Sequence, residues 1–195
     1  MSLRRYSIAF ACGLFLAFGA LCTARAGDIS KPVLLVASPE LGEFYRGAVL
    51  LARPVGGGGH IGFIINRPTP VTLGKLFPEH ELSQKVTAPV FLGGPFYLDV
   101  LFAMVHRRHS PGGRSFALAD NLFLVTDVDV VDRIIEQNGN DARFLVGLVA
   151  WQPGELEIEV QRNVWYVLEP DADLVFRKST DGLWEELVRR SRSAI

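Results

Sequence analysis

The chain has 195 residues, 49% of them apolar and 21% charged, with a formal net charge of −1. That length and apolar share suit one domain with a sizeable core. The near-neutral balance excludes the basic surplus that marks nucleic-acid binding.

The N-terminus reads as an export signal. Arg4 and Arg5 precede an apolar run over 8–21, and Ala24-Arg25-Ala26 follows. A charged start, an apolar middle and an A-x-A site form a secretory signal peptide. The run is shorter than the roughly 20 residues that span a bilayer. We therefore expect a signal peptide over 1–26 and a domain over 27–195, released to the periplasm or secreted after cleavage following Ala26. An uncleaved N-terminal membrane anchor is the alternative. A lipoprotein is disfavoured, because Leu21 stands before Cys22 where a small residue is needed. Cleavage removes Cys12 and Cys22, and with them any disulfide or Cys nucleophile. It also removes Arg4, Arg5 and Arg25, taking the net charge from −1 to −4.

A first strand is expected over 31–37, where Val33-Leu34-Leu35-Val36-Ala37 is broken by Ser38-Pro39. Residues 47–52 form a second apolar strand and 61–65 a third, joined through Gly56-Gly57-Gly58-Gly59 as a hairpin. No Gly-Lys-Ser/Thr follows these glycines, and a strand rather than a helix comes next, so a phosphate loop is excluded. The third strand ends in Asn66-Arg67-Pro68, and Pro68 biases Arg67 toward extended backbone. Thr72 can cap a short helical turn through Leu73 and Leu76. Residues 79–86 are polar and expected at the surface.

Strands are expected over 90–92, stopped by Gly93-Gly94-Pro95, over 100–105, and over 122–125 after a Gly/Pro-rich turn at 110–114. Thr126 or Asp127 should cap a helix with Val130, Val131, Ile134 and Ile135 on one face. Asn138-Gly139 should end it in left-handed backbone. A strand over 144–149 leads to Trp151. Residues 155–160 are ambiguous: Leu156, Ile158 and Val160 alternate with glutamates as in a strand, yet three glutamates after Pro153-Gly154 suit a helix start. A strand over 164–168 follows. Thr180 or Asp181 should cap a last helix with Leu183, Trp184, Leu187 and Val188 inward and Arg189, Arg190 and Arg192 at its end. The expected fold is a single α+β domain, its strands joined mostly by hairpins with helices over one face.

Arg67 with Asn66 is the sharpest candidate for a binding site. A guanidinium fork beside an amide suits a carboxylate or phosphate. The structural alternative has Asn66 bonded to turn backbone and Arg67 paired with a carboxylate. Arg46, Gly93 and Gly94 join them as candidate ligand-binding residues, although Gly93-Gly94-Pro95 reads first as a tight turn. His106-Arg107-Arg108-His109 follows a strand and has no acidic or thiol ligand adjacent, so no metal site is expected. Ser115 lacks the G-x-S-x-G elbow, and His80 lacks the H-E-x-x-H spacing. No catalytic residue and no cofactor emerge.

Five pieces then occur in order: Leu34-Leu35-Val36-Ala37-Ser38-Pro39; Phe44-x-Arg46-x-x-Val49; Gly62-Phe63-Ile64-Ile65-Asn66-Arg67-Pro68; Phe91-Leu92-Gly93-Gly94-Pro95; and Trp151-x-Pro153-Gly154-x-Leu156 with Asn163-x-Trp165. Together they resemble the YqgE/AlgH family of bacterial proteins. The resemblance implies a strongly bent, mostly antiparallel, half-barrel-like sheet with flanking helices, and a helix at 155–161. It carries over no catalytic residues. One branch of the family is described as a transcriptional regulator of alginate synthesis. This chain departs from the pattern at Glu155, where Gln is usual, at Ala150, where Gly is usual, and at Gly42-Glu43, where Asp-Pro is common. Family members are ordinarily cytosolic, so an export signal is a further departure. The expected role is a non-enzymatic binding or regulatory domain. The alternatives are a small-molecule enzyme using Arg46, Asn66 and Arg67, and a transcriptional regulator. The expected partner is a protein or a small molecule; specific nucleic-acid binding is not expected, and membrane contact is confined to the signal peptide.

Overall fold

The structure, a computed structural model, describes residues 28–193. The signal-peptide reading and both cysteines lie outside them. Among the described residues no helix is long and apolar enough to cross a membrane.

Apolar runs with no charge form the first ladder. Strands β1 (Val33–Ala37), β2 (Val49–Pro54) and β3 (His60–Ile64) pair antiparallel in chain order, and the glycines at 56–59 turn the chain between β2 and β3. Then come β4 (Pro68–Thr72), the short helices α1 (Leu73–Leu76) and α2 (Glu81–Gln84), β5 (Pro89–Leu92) and the long β6 (Phe96–His106). Strands β7 (Ser115–Ala119) and β8 (Leu122–Val125) form a hairpin. Helix α3 (Val128–Asn138), β9 (Ala142–Trp151), α4 (Glu155–Gln161), β10 (Trp165–Leu168), α5 (Ala172–Val175) and α6 (Leu183–Ser193) complete the chain.

The strands make one curled half-barrel sheet in the order β10-β1-β2-β3-β9-β6-β8-β7, with β5 branching from β9 and β4 pairing with β5. All pairings are antiparallel except β5 with β9. The α+β fold with a strongly bent, mostly antiparallel sheet is therefore as expected.

The helices are not confined to one face. Alternate residues of β1 divide between two cores, which is why the whole strand is apolar. Leu34 and Val36 join Phe63, Met104, Leu124, Leu183 and Leu187 in the central cluster. Leu35 and Ala37 join Trp151, Leu156, Val160 and Trp165 on the opposite side, under α4. A third cluster lies where α3 sets Val130, Val131, Ile134 and Ile135 against Val105 and Phe144.

Local readings fail in several places. Residues 79–86 are only partly a surface stretch: Glu79, Glu81, Gln84 and Lys85 are exposed, but the segment contains α2, and Ser83 and Val86 are buried. Gly139 is right-handed (φ −56°), not left-handed. Glycine is required there because a Cβ would stand 2.5 Å from Val86 Cγ2. Thr72 and Asp127 occupy the N-terminal flanks of α1 and α3, but neither side chain makes a cap bond. At α6, Thr180 contributes its carbonyl, which accepts from the Leu183 N–H at 3.2 Å. Strands β4 and β7 were not expected at all.

Candidate functional site

The third strand hands its end to a tight loop. In residues 42–48 the Tyr45 and Arg46 N–H groups both donate to the Gly42 carbonyl at 3.0 Å, and Ala48 N–H donates to Tyr45 O at 2.9 Å. Asn66 fastens this loop to the sheet. Its Nδ2 donates to Gly47 O at 2.8 Å and its Oδ1 accepts from Val49 N–H at 2.9 Å. The carboxamide thus extends the β2–β3 ladder by one rung, with its oxygen and its nitrogen both engaged.

Arg67 lies across the same loop. Its guanidinium carbon sits 4.8 Å from the centre of the Phe44 ring. Nη2 donates to the carbonyls of Phe44 and Arg46. The expected carboxylate partner is not found; among the described residues Arg67 forms no ion pair, and its partners are backbone oxygens and an aromatic face. Burial pushes this guanidinium below its ordinary value, and the nearby Tyr45 phenol acts in the other direction. Arg46 is exposed beside it.

An aromatic run continues from this point. Phe44 meets Tyr45 edge-on at 4.9 Å, Tyr45 meets Trp165 at 5.7 Å, and Trp165 meets Trp151 at 6.2 Å. One oxygen of Glu159, Oε2, accepts both indole N–H groups, at 2.8 Å from Trp151 and 2.7 Å from Trp165. This settles the ambiguous stretch: only a helix at 155–161 turns Leu156 and Val160 into the core while Glu159 reaches both tryptophans. Tyr45 stands between Glu159 and Arg67. Its hydroxyl is held above the ordinary value first by burial, then by Glu159; Arg67 opposes this and Glu155 adds to it.

Arg46, Asn66 and Arg67 therefore meet around one loop, while Gly93 and Gly94 serve the backbone beside it, where Leu92 N–H donates to Arg67 O at 2.9 Å. Gly93 donates to Val146 O and accepts from Ile64 N–H, both at 2.8 Å. A Cβ on Gly94 would lie 2.1 Å from the Leu148 carbonyl carbon. The pair is a backbone crossing over β9. It leads into a bulged start of β6, where Phe96 pairs with Leu148 but Leu101 pairs with Val146.

Sequence reasoning missed Tyr45, Glu159 and Arg143 as members of this neighbourhood. Arg143 is buried in β9 and donates from Nη1 to Ile65 O and from Nη2 to Arg177 O, both at 2.7 Å. Its guanidinium carbon lies 4.1 Å from the centre of the Phe91 ring, and burial pushes its pKa down to about 10. It thereby fixes the residue that precedes Asn66. The signal available for it was a single cation at the head of an otherwise apolar strand. Among the described residues no group of three His, Cys, Asp or Glu side chains could hold a metal ion.

Comparison with known proteins agrees with this fold. An AlgH-like family profile matches residues 34–194. A UPF0301 protein of Bordetella petrii is 36% identical over 163 residues, covering 78% of each chain. A UPF0301 protein of Ruegeria pomeroyi is 29% identical, covering 80% of this chain and 88% of its own. The solution structure of the AlgH protein from Pseudomonas aeruginosa superposes with a TM-score of 0.67 at 24% identity, covering 83% of this chain and 89% of that one. A crystal structure from Corynebacterium diphtheriae gives 0.65 at 20% identity, over 84% and 88% of the chains. The sequence pieces that carry the resemblance converge on the loop at 42–48, the end of β3 and the Trp151–Trp165 pair, and the chain belongs to the AlgH-like family.

Proposed function

We propose that this chain is a non-enzymatic binding domain, exported from the cytoplasm, whose Arg67 face takes an oxyanion, a carboxylate or phosphate, of a protein or small-molecule partner. The observation that carries the reading is Arg67 itself. Its Nη2 is spent on the loop carbonyls and its ring contact holds it in place, so a positive charge is fixed half-buried without a carboxylate beside it. Arg46 is exposed on the same loop, and Tyr45 adds a neutral phenol. A preset guanidinium loses little side-chain freedom when it binds an oxyanion. The enzyme alternative needs a group able to take or give a proton, which neither the Asn66 carboxamide nor the guanidinium groups of Arg46 and Arg67 supply.

The test is thermal unfolding with succinate and with inorganic phosphate. A ligand at a hundredfold excess over its Kd stabilises by about 2.7 kcal/mol. We expect one of the two to raise the melting temperature of the parent and to leave Arg67→Ala unmoved. The same shift in Arg67→Ala would overturn the assignment. Export rests on the charged start, the apolar run and the A-x-A site. Intact mass of the native protein beginning at Gly27 supports it; Met1 retained in soluble cytoplasmic protein refutes it.

A further inference from the structure

The sheet path ends in β10 on one side and β7 on the other. Arg53 of β2 spans part of the seam: Nη1 donates to Ala117 O at 3.2 Å, and the guanidinium lies over the Phe116 ring at 5.1 Å. Beside this bridge lies a cleft of about 400 Å³. That volume falls in the range of small-molecule pockets, roughly 300–1,000 Å³. Pro32, Ala117, Leu118 and Pro170 are among its apolar walls. Leu118 belongs to the central core, so the floor is rigid.

The rim carries three charges, Lys31, Asp120 and Glu169. Lys31 is already held by Glu169 at 2.8 Å. Asp120 stands on the two-residue turn between β7 and β8, where Ala119 pairs with Leu122. Among the described residues it has no hydrogen bond or ion pair. The rim is thus left with one uncompensated carboxylate above an apolar floor. Arg53, the cation at the seam, does not line the cleft; it donates to the carbonyls of Pro54 and Ala117 and lies over the Phe116 ring.

We propose that the seam cleft binds a small organic cation, a primary ammonium or guanidinium on a short aliphatic body, with its charge at Asp120 and its carbons against Pro32, Ala117 and Pro170. The site is separate from the Arg67 face. Lys31 and Glu169 lie beyond the Leu34–Leu168 end of the β1–β10 ladder, whereas the Arg67 face adjoins its Ala37–Trp165 end.

The experiment titrates ¹⁵N-labelled protein with pentylamine, agmatine and pentanoate and follows the backbone amides. Both cations should shift the amides of Lys31 and of residues 117–120 in a saturable way. Pentanoate, with the same aliphatic body and the opposite charge, should not. Asp120→Asn should weaken pentylamine binding about fivefold, the scale of one exposed charge pair, with an unchanged melting temperature. Ala117→Leu, which fills the cleft from the β7 wall, should weaken both cations. Equal shifts with pentanoate, shifts centred away from the seam, or undiminished affinity in Asp120→Asn would overturn the proposal.

Discussion

Asn66 offers the same donor and acceptor as a peptide group and spends both on the backbone of residues 47 and 49. Asn66→Ala leaves Gly47 O and Val49 N–H without partners, and urea unfolding should show a loss of about 1–3 kcal/mol. An undiminished stability in Asn66→Ala would show that the rung is dispensable. Arg143 presents the opposite case, a charge taken out of water. Arg143→Met relieves that desolvation but orphans the carbonyls of Ile65 and Arg177, and we expect a net loss of about 1–3 kcal/mol by the same measurement. Arg143→Lys keeps the buried charge without the fork that reaches both carbonyls, so it should be the worse of the two. Arg177 also makes a two-pronged bond to Glu186, at 2.6 and 3.0 Å. That bond to Arg177 holds the Glu186 carboxyl below its ordinary value of 4.5. A depressed carboxylate stabilises the fold above its unfolded pKa, and the effect fades as pH falls through the lower folded value. The pair is exposed, so the effect is small: between pH 6 and pH 3 the parent should lose slightly more melting temperature than Glu186→Gln, and an equal or larger loss in the variant would contradict the sign.

At the scale of elements, the strands that were legible are those buried on both faces, because their apolar runs are continuous. β1, β2 and β3 were read over 31–37, 47–52 and 61–65 for that reason. β4 was hidden by Pro68 and Pro70, which argue against a central strand. It is an edge strand, pairing with β5 alone, so the missing N–H groups cost no ladder bond on its free side. β7 buries only Leu118, too little to leave an alternating pattern. The helix at α4 could not be separated from a strand by local spacing; its tertiary bonds from Glu159 to two tryptophans decide it. Within the candidate site, Arg46, Asn66 and Arg67 were visible as polar residues at the margins of apolar segments. Glu159 and Tyr45 were not, because their role depends on a meeting of segments more than 100 residues apart. The Gly93-Gly94 pair was visible as punctuation, but its purpose is close approach of two backbones. Gly94→Ala would drive a Cβ into the Leu148 carbonyl, and neither side can move without breaking the β6–β9 pairing. We expect insoluble protein or a loss of about 4 kcal/mol or more. Gly56→Ala, with open space around it, should stay within about 0.5 kcal/mol of the parent in the same urea series. Comparable losses at the two positions would remove the crossing from the account.

The whole molecule bears on the regulatory role that the family resemblance invites. Affinity for duplex DNA comes mainly from neutralising phosphates with Lys and Arg, and it falls steeply with salt. Residues 27–195 carry a net charge of −4, so their overall field repels a polyanion. Two basic sets remain. Arg107 and Arg108 follow β6 in a turn where Arg107 N–H donates to Asn121 O, and no helix is at hand to enter a groove. Arg189, Arg190 and Arg192 end α6, whose inner face is fixed in the core by Leu183, Leu187 and Val188. Glu186 on the same helix interacts with Arg189 and Arg190 and offsets part of their charge. α6 is also tied to the sheet by Trp184, whose indole donates to Ala37 O at 2.8 Å. A recognition helix must present its side chains to base edges, and α6 is held by the core along one side and by Trp184 near its start. The Arg67 face does not substitute for one, since Glu159 and Glu155 flank the same aromatic run. We therefore expect no specific duplex binding by the cleaved domain. The measurement is a titration of fluorescently labelled duplex at near-physiological salt with unlabelled competitor. Binding that disappears as salt is added agrees with this expectation, because any exposed arginine cluster produces it. Submicromolar affinity that survives competitor DNA would overturn it and would place the oxyanion of the Arg67 face on a nucleic-acid backbone.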